Sequence, residues 1–392
     1  MVYERIQILI DYLKYNEITS HTNIDVNDLI SICKMHSLLP MLYLSLKKYG
    51  VNLTEKQTTF LKKEYQVAVY KEATQELEKK VILDELEKNK IKCAALKGSV
   101  LKNLYSSPEI RTMCDLDILF EDKRTKDIHK IMKNLGYSCL DKGGNHDVFL
   151  KKPFMNVEMH RHLIDSCYPC LRKYYDNIWN FLYPFSGFSY VCEMSKEDFY
   201  VYMITHIAKH FANGGVGIRY IFDTYIFLKK YKNELQFDYI YNELEKMKLI
   251  KFEKSFVNLV EIWFNGKQTT ENEEILSQYI VESRTHGTLE HAQAVKIILG
   301  DGENNLIKQG KIIYLLKKIF PPYSFMKKRN PVLNKCPILL PVFYFFRIIE
   351  GIFSKKNRIK AELTGLERFN EVKAKQIQEL HKEIGVEDKV AR

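Results

Sequence analysis

The sequence predicts an α+β protein in which a small mixed β-sheet is flanked by an N-terminal and a C-terminal helical region. Three observations support this fold class. The first ninety residues have apolar residues at helical spacing, residues 91–163 alternate short strands with a helix, and helical spacing returns after Ser166. Only 17 glycines and 10 prolines occur among 392 residues, which excludes collagen-like and largely disordered proteins.

The N-terminal region, residues 1–89, is predicted to be helical. Apolar residues recur with the spacing of one helical face at Ile6, Leu9, Ile10 and Leu13. From Thr54 to Asn89 a charged run without proline or glycine predicts one or two long helices. The charged N-terminus does not resemble a secretory signal, and the eight cysteines are scattered, so we expect free thiols in a reducing cytoplasm.

The predicted α/β core covers residues 90–165. An apolar run from Ile91 ends in Lys97-Gly98-Ser99, which indicates a strand, a glycine turn and a helix. Residues 114–120 alternate strictly, so Asp115 and Asp117 share one face of a strand. A short helix and three further strands complete the predicted layer.

Helices are predicted again over residues 166–305, beginning with the helix that Ser195-Lys-Glu-Asp198 caps. The last region, residues 306–392, is basic. Thirteen Lys and Arg and a single acid lie between Lys308 and Ala361, enough to account for the whole net charge of +11. We do not expect nucleic acid to be bound along the chain, because the rest of the protein is close to neutral.

The most apolar segment of the chain lies in this basic region. Its uncharged run, Pro337 to Phe346, is ten residues long, too short to cross a bilayer, and we expect Pro341 to break it. We expect a buried helix that closes the core. The alternative is an amphipathic helix that makes peripheral contact with an anionic membrane surface.

The residues with the clearest chemistry are the paired carboxylates. Asp115 and Asp117 point the same way from one strand and repel each other, and a shared divalent cation removes that repulsion. Mg²⁺ favours carboxylates together with substrate phosphates. Glu158, on a neighbouring predicted strand, would complete a two-metal site, and the Gly98-Ser99 turn offers N–H groups and a hydroxyl to phosphate oxygens.

This pattern resembles the DNA polymerase β-like nucleotidyltransferase superfamily, whose signature is a glycine turn, an Asp-x-Asp pair and a third acid. The closer resemblance is to a bacterial family of uncharacterised nucleotidyltransferases, NTP transferase 5. It rests on the segments 96–105, 111–119, 157–160 and 219–223 and covers most of residues 30–230.

The resemblance implies transfer of a nucleoside monophosphate from ATP or another NTP to an acceptor hydroxyl, with release of pyrophosphate. Gly98 and Ser99 would hold the β- and γ-phosphates. Asp115 and Asp117 would bind Mg²⁺ or Mn²⁺, and Glu158 would be the third metal ligand and help to take the proton from the acceptor. The cleft between the sheet and the helices of residues 206–223 would hold that acceptor.

Two cations beside this motif are candidates for nucleotide binding. Lys97 is expected to meet phosphate as a point charge. Arg111 is expected to pair with a metal-ligand carboxylate or the triphosphate, with a structural salt bridge as the alternative.

Four histidines are candidates for substrate contact. His160 and His162 share the face of Glu158 if the strand is regular. His206 and His210 lie one helical turn apart, and we expect them to line the cleft rather than bind zinc, since no third ligand is evident nearby.

Two other functions stay open at this point. One is a catalytically silent nucleotide-binding regulator or antitoxin-like protein, against which the presence of all three acids argues. The other is a membrane-surface or RNA-binding protein that acts through the basic C-terminal region. The sequence does not determine the acceptor, the preferred base or the oligomeric state.

Overall fold

The computed structural model describes residues 2–14, 24–285, 287–301, 307–354, 356–367 and 371–386. Its N-terminal region is helical, as predicted. The helices are α1 (Gln7–Lys14), α2 (Val26–His36), α3 (Leu39–Lys48) and α4 (Glu55–Lys88). The charged run forms one helix of 34 residues, α4, which begins at a capping box between Thr54 and Gln57.

Helix α4 contacts the rest of the protein along its whole length. Leu61, near its start, is buried with the N-terminal helices, in what we call the helical core. Ile82 and Leu86, near its end, are buried in a second cluster beneath the sheet, the outer core. Between them, Glu72 accepts a hydrogen bond from the fully buried ammonium of Lys102 at 2.7 Å.

A mixed sheet of seven strands lies beside α4, in the order β3-β4-β5-β2-β1-β7-β6. The strands are β1 (Cys93–Ala95), β2 (Leu116–Phe120), β3 (Ser138–Asp141), β4 (His146–Lys151), β5 (Met155–His160), β6 (Leu182–Pro184) and β7 (Val191–Met194). The short helices between them are α5 (Gly98–Leu101), α6 (Thr125–Asn134) and α7 (Pro169–Tyr174). The fold is therefore α+β, as predicted from the sequence.

The sheet extends beyond the residues predicted for it. β6 and β7 lie within residues 166–305, which were predicted to be entirely helical. β7 pairs in parallel with β1, and β6 pairs with β7. Both strands are very short, so their own sequence gives little alternation, and β7 joins the sheet through β1, about a hundred residues earlier in the chain. The domain boundaries stay predictions, and the one at residues 305–306 lies outside the described residues.

Strict alternation along β2 assigns its two faces to different environments. Ile118 and Phe120 are buried in the outer core with residues of α4 and α6. Leu119 faces the opposite way and is buried in the helical core. Asp117 is on the same side as Leu119, because strand neighbours two residues apart share a face. The paired acids therefore face the helices that follow the sheet.

Five helices follow the sheet. They are α8 (Lys196–Ala212), α9 (Ile218–Tyr231), α10 (Phe237–Lys246), α11 (Ile250–Asn265) and α12 (Glu271–Glu282). Ser195 caps α8, as predicted, by accepting a hydrogen bond from the backbone N–H of Asp198. Almost every residue of α8 from Phe199 to Ala208 is buried, so this helix is central to the helical core.

His36 connects the N-terminal helices to this part of the fold. Its ring is fully buried, Nε2 donates to the carbonyl of Val281 at 2.8 Å, and Nδ1 accepts from the backbone N–H of Ile218 at 3.3 Å. Burial lowers the pKa of His36 to about 4. A protonated ring would lose the bond at Nδ1, so the fold holds the neutral form.

The protein is expected to lose stability as the pH falls from about 6.5 towards about 4, because the unfolded chain binds a proton at His36 that the folded chain excludes. Full protonation of His36 would lower the free energy of unfolding by about 3 kcal/mol. His36→Gln should be less stable at pH 7.5 but should lose less stability on acidification. Denaturant unfolding of both proteins at several pH values measures this. The buried His381 titrates in the same pH range in the wild type and in the variant. If both proteins lost stability equally on acidification, the role of His36 would be contradicted.

Further helices follow, and the first of them lies before the basic region of residues 306–392. These are α13 (Leu289–Asp301), α14 (Ile307–Ile319), α15 (Tyr323–Arg329), α16 (Leu340–Ser354), α17 (Lys356–Glu367) and α18 (Glu371–Glu383). Within the described residues, no helix combines the length and apolarity that crossing a membrane requires.

Two expectations for the apolar segment are wrong. Pro341 does not break it but lies in the first turn of α16, where a missing backbone N–H leaves no hydrogen bond unmade. The helix is also not buried: several of its large apolar side chains, among them Phe345 and Phe346, are exposed. Burial of an apolar run requires a neighbouring surface, and sequence periodicity does not reveal whether one is present.

Candidate active site

Strand pairing brings the predicted acids together. β2 and β5 run parallel, and their register sets Asp117 directly opposite Glu158. β4 and β5 run antiparallel, and their register sets His146 opposite His160, with ring centroids 4.8 Å apart. Asp115 lies immediately before β2. Side chains from three strands therefore meet on the sheet face that is turned towards α8 and α9.

Asp117 is the most enclosed of the three carboxylates. Its Oδ1 accepts from the ammonium of Lys97 at 2.6 Å and from Nε2 of His160 at 2.7 Å. Burial acts to raise the pKa of Asp117, but the charge of Lys97 and the bond from His160 outweigh it and hold the pKa well below its usual range. Lys97, predicted to meet phosphate, thus pairs with Asp117.

The other two carboxylates differ in their titration. Burial and the negative charges of Asp117 and Glu158 raise the pKa of Asp115. The hydrogen bond from His160 lowers the pKa of Glu158. Mutual repulsion of this kind is what a bound divalent cation relieves, so this donor set fits a metal ion.

The structure also groups residues that the sequence analysis did not combine. His146, Glu158 and His160 each offer a ligand atom, and these atoms lie within 4.8 Å of one another. His146 was missed because its position depends on the β4–β5 register, which the sequence does not reveal. An imidazole here widens the range of cations that the site can bind.

The glycine turn lies at the end of β1. Lys97 has φ of +52°, a conformation that costs a non-glycine residue energy and is concentrated at functional sites. A Cβ on Gly98 would lie 2.9 Å from Nη1 of Arg111 and 3.0 Å from Sδ of Met113, so a side chain does not fit. The hydroxyl of Ser99, predicted to face phosphate, instead donates to the carbonyl of Leu96 at 2.7 Å and is buried.

Arg111 does not contact the paired acids. Its Nε and Nη2 donate to the two oxygens of Asp223, at 3.0 and 2.7 Å, and Asp223 also accepts from the hydroxyl of Tyr105 at 2.7 Å. All three residues are buried. Of the alternatives for Arg111, the structure therefore shows the structural salt bridge, which joins the loop before β2 to α9.

A cavity of about 370 Å³ separates the sheet from α8 and α9. Asp115 and Glu158 line its sheet side, and His206 and His210 line its helix side, with their Nε2 atoms 3.0 Å apart. His162 does not line the cavity, because β5 ends at His160 and the alternation stops there. A larger and more open cavity of about 900 Å³, near Arg5 and Arg284, includes none of the predicted site residues.

Two cations in the cavity were not singled out from the sequence. Arg219 is buried, its Nη1 donates to the carbonyl of Thr112 at 2.9 Å, and its Nε has no hydrogen-bond partner among the described residues. Burial and the charge of Arg111 lower its pKa. Burial and the charge of Lys97 lower the pKa of Lys209 to about 8. Basic residues inside an otherwise apolar helix were the signal that could have identified them.

A glycine turn at a strand end, acids in register on adjacent strands and a cation-lined cavity are features expected of a nucleotidyltransferase. The chain belongs to the NTP transferase 5 family of uncharacterised nucleotidyltransferases, whose family model matches residues 22–265. No curated protein and no solved structure shows significant similarity to it. The family assignment indicates nucleotidyl transfer in general terms. Helices α12 to α18 lie beyond the matched residues.

Proposed function

We propose that the chain transfers a nucleoside monophosphate from an NTP to an acceptor hydroxyl in the cavity between the sheet and α8–α9, with pyrophosphate as the leaving group. The observation on which this rests is the register that sets Asp117 opposite Glu158, next to an Asp115 whose pKa is raised by burial and by both charges. Such an arrangement of acids favours binding a cation over a purely structural role.

Asp115, Asp117 and Glu158 would hold the divalent cation, Mg²⁺ or Mn²⁺. When bound, the cation would neutralise charge on the triphosphate and polarise the attacking oxygen. His146 offers one further ligand atom beside Glu158.

The triphosphate would be bound by backbone and by fixed positive charge. Gly98 has no Cβ, which lets the turn pack closely against Arg111 and Met113, and its backbone N–H would bind phosphate. Arg219 lines the same cavity and has a buried Nε without a hydrogen-bond partner in the described structure, so an anion would satisfy it. Lys209 adds a second positive charge below its pKa of about 8.

Glu158 would accept the proton of the acceptor. The hydrogen bond from His160 lowers the pKa of Glu158 and so favours the ionised form, which is the form that can accept a proton. The acceptor oxygen forms a bond to the α-phosphorus, the bond from that phosphorus to the bridging oxygen breaks, and pyrophosphate leaves. His206, His210 and Tyr220 line the helix side of the cavity, where the acceptor would lie.

Incubation of the full chain with α-labelled NTPs, Mg²⁺ or Mn²⁺ and fractionated hydroxyl compounds or proteins tests this proposal. We expect label to be incorporated into an acceptor in step with pyrophosphate release. Glu158→Gln should lower both by about 100-fold, as is typical of removing a positioned base. If NTPs bind but release no pyrophosphate with any acceptor fraction, the chain is a silent nucleotide-binding protein and the proposal is wrong.

A further inference from the structure

The exposed apolar side chains of this protein are concentrated in one segment. Among the described residues, 28 large apolar side chains are exposed, and fifteen of them lie between Ile312 and Leu363. This segment lies outside the residues matched by the family model, so the catalytic fold does not account for it. An apolar surface of this density marks an interaction site.

On α16 the exposed residues form a stripe. Val342, Phe345, Phe346, Ile349 and Phe353 follow the spacing i, i+3, i+4, i+7 and i+11, which is one face of a helix. Phe345 is 62% exposed, Phe346 60% and Phe353 82%. The apolar face of this amphipathic helix is therefore turned to the solvent.

Helix α14 repeats the arrangement. Ile312, Leu316 and Ile319 are exposed on one face, whereas Tyr314, about half a turn away, is buried against Ile297 and Leu366. The two helices meet near their ends, where the ring of Phe320 contacts the ring of Tyr344 at 5.4 Å. We call the exposed apolar residues of α14, α15 and α16 the apolar face.

Basic residues lie in the same segment as the apolar face. Lys317 and Lys335 are exposed, and Arg347 lies 5.7 Å from the ring of Phe325. The only acid between residues 308 and 361 is Glu350, and it is already paired with Arg329 at 2.9 Å. Long basic side chains around an apolar helix face are typical of helices that lie in a membrane interface.

We propose that the apolar face binds the surface of an anionic lipid bilayer, with its phenylalanines among the acyl chains and its lysines at the headgroups. The aliphatic residues of the face favour lipid over RNA, because proteins bind bases mainly by aromatic stacking and by hydrogen bonds to base edges, to which aliphatic side chains add little. The charge argues against a second copy of the chain, since symmetric pairing would bring like charges together. This proposal is independent of the proposed function.

Co-sedimentation of the full chain with phosphatidylcholine vesicles, with and without phosphatidylglycerol, tests the inference. We expect binding only when phosphatidylglycerol is present, and weaker binding at physiological than at low salt. Phe345→Ser combined with Phe346→Ser should weaken binding by about tenfold or more. Lys317→Gln combined with Lys335→Gln should weaken it and reduce its salt dependence, since each basic residue near the surface contributes roughly fivefold.

Matched controls come from exposed leucines elsewhere in the fold. Leu77 on α4 is 68% exposed and Leu140 on β3 is 69% exposed, so Leu77→Ser with Leu140→Ser removes comparable apolar surface and should leave binding unchanged. Equal binding to both vesicle types, an effect of the leucine pair as large as that of the phenylalanine pair, sedimentation without vesicles, or preference for RNA over vesicles would each overturn the proposal.

Discussion

Asp115→Asn is expected to lower nucleotidyl transfer by about 1000-fold while leaving the fold as stable as the wild type or more stable. Asp115 is partly buried beside Asp117 and Glu158, and their charges raise its pKa. Replacing it by a neutral amide of the same shape removes this repulsion. The same change removes one of the three carboxylates that would hold the divalent cation, so activity and stability should move in opposite directions.

Pyrophosphate release and denaturant unfolding, measured on the same preparations, check this expectation. Asp238→Asn is the matched control, because Asp238 is an exposed carboxylate at the start of α10 and lies outside the cavity. It should change neither quantity appreciably. If Asp115→Asn retained wild-type activity, or lost activity only in proportion to lost stability, Asp115 would be a structural residue.

Asp223→Ala is expected to lower the free energy of unfolding by about 3–5 kcal/mol, more than the other substitutions considered for this protein. The substitution leaves the buried guanidinium of Arg111 without its carboxylate and removes the acceptor of the Tyr105 hydroxyl. Because Arg111 lies against Gly98, its displacement should also weaken NTP binding. Urea unfolding followed by circular dichroism and binding of an ATP analogue measure the two effects.

Two further variants separate the loss of charge pairing from the loss of packing. Arg111→Met with Asp223→Leu removes both charges and should recover much of the stability, since an apolar pair of similar size needs no counter-charge. Asp176→Ala breaks the exposed Arg172–Asp176 bridge on the surface and should cost less than about 1 kcal/mol. A double variant as unstable as Asp223→Ala would show that packing, not charge, is lost.

Local patterns in the sequence were enough to predict most of the fold. Helical spacing predicted α1 to α4, and Ser195 predicted the start of α8, because caps and amphipathic faces depend on residues close in sequence. β6 and β7 were not predicted, since strands of three and four residues show little alternation and β7 joins the sheet only by pairing with the distant β1.

The same distinction applies to the candidate site. The Gly98 turn and the shared face of Asp115 and Asp117 follow from local spacing, and the sequence located both. The partner of Arg111 is 112 residues away, on α9, and His146 reaches Glu158 only through the register of two strands. Spatial neighbours of this kind are not visible in one sequence. The roles of the site residues accordingly stay proposals.

Helix α4 has a consequence for how the molecule responds to heat or denaturant. At 34 residues it is about 51 Å long, and its two ends are buried in the helical core and the outer core. If the helix unfolded in its middle, it would lose several hydrogen-bonded turns. Forming it again would require a new helix nucleation step. We therefore expect the two cores to melt together, with the seven-stranded sheet and the N-terminal helices as one cooperative unit.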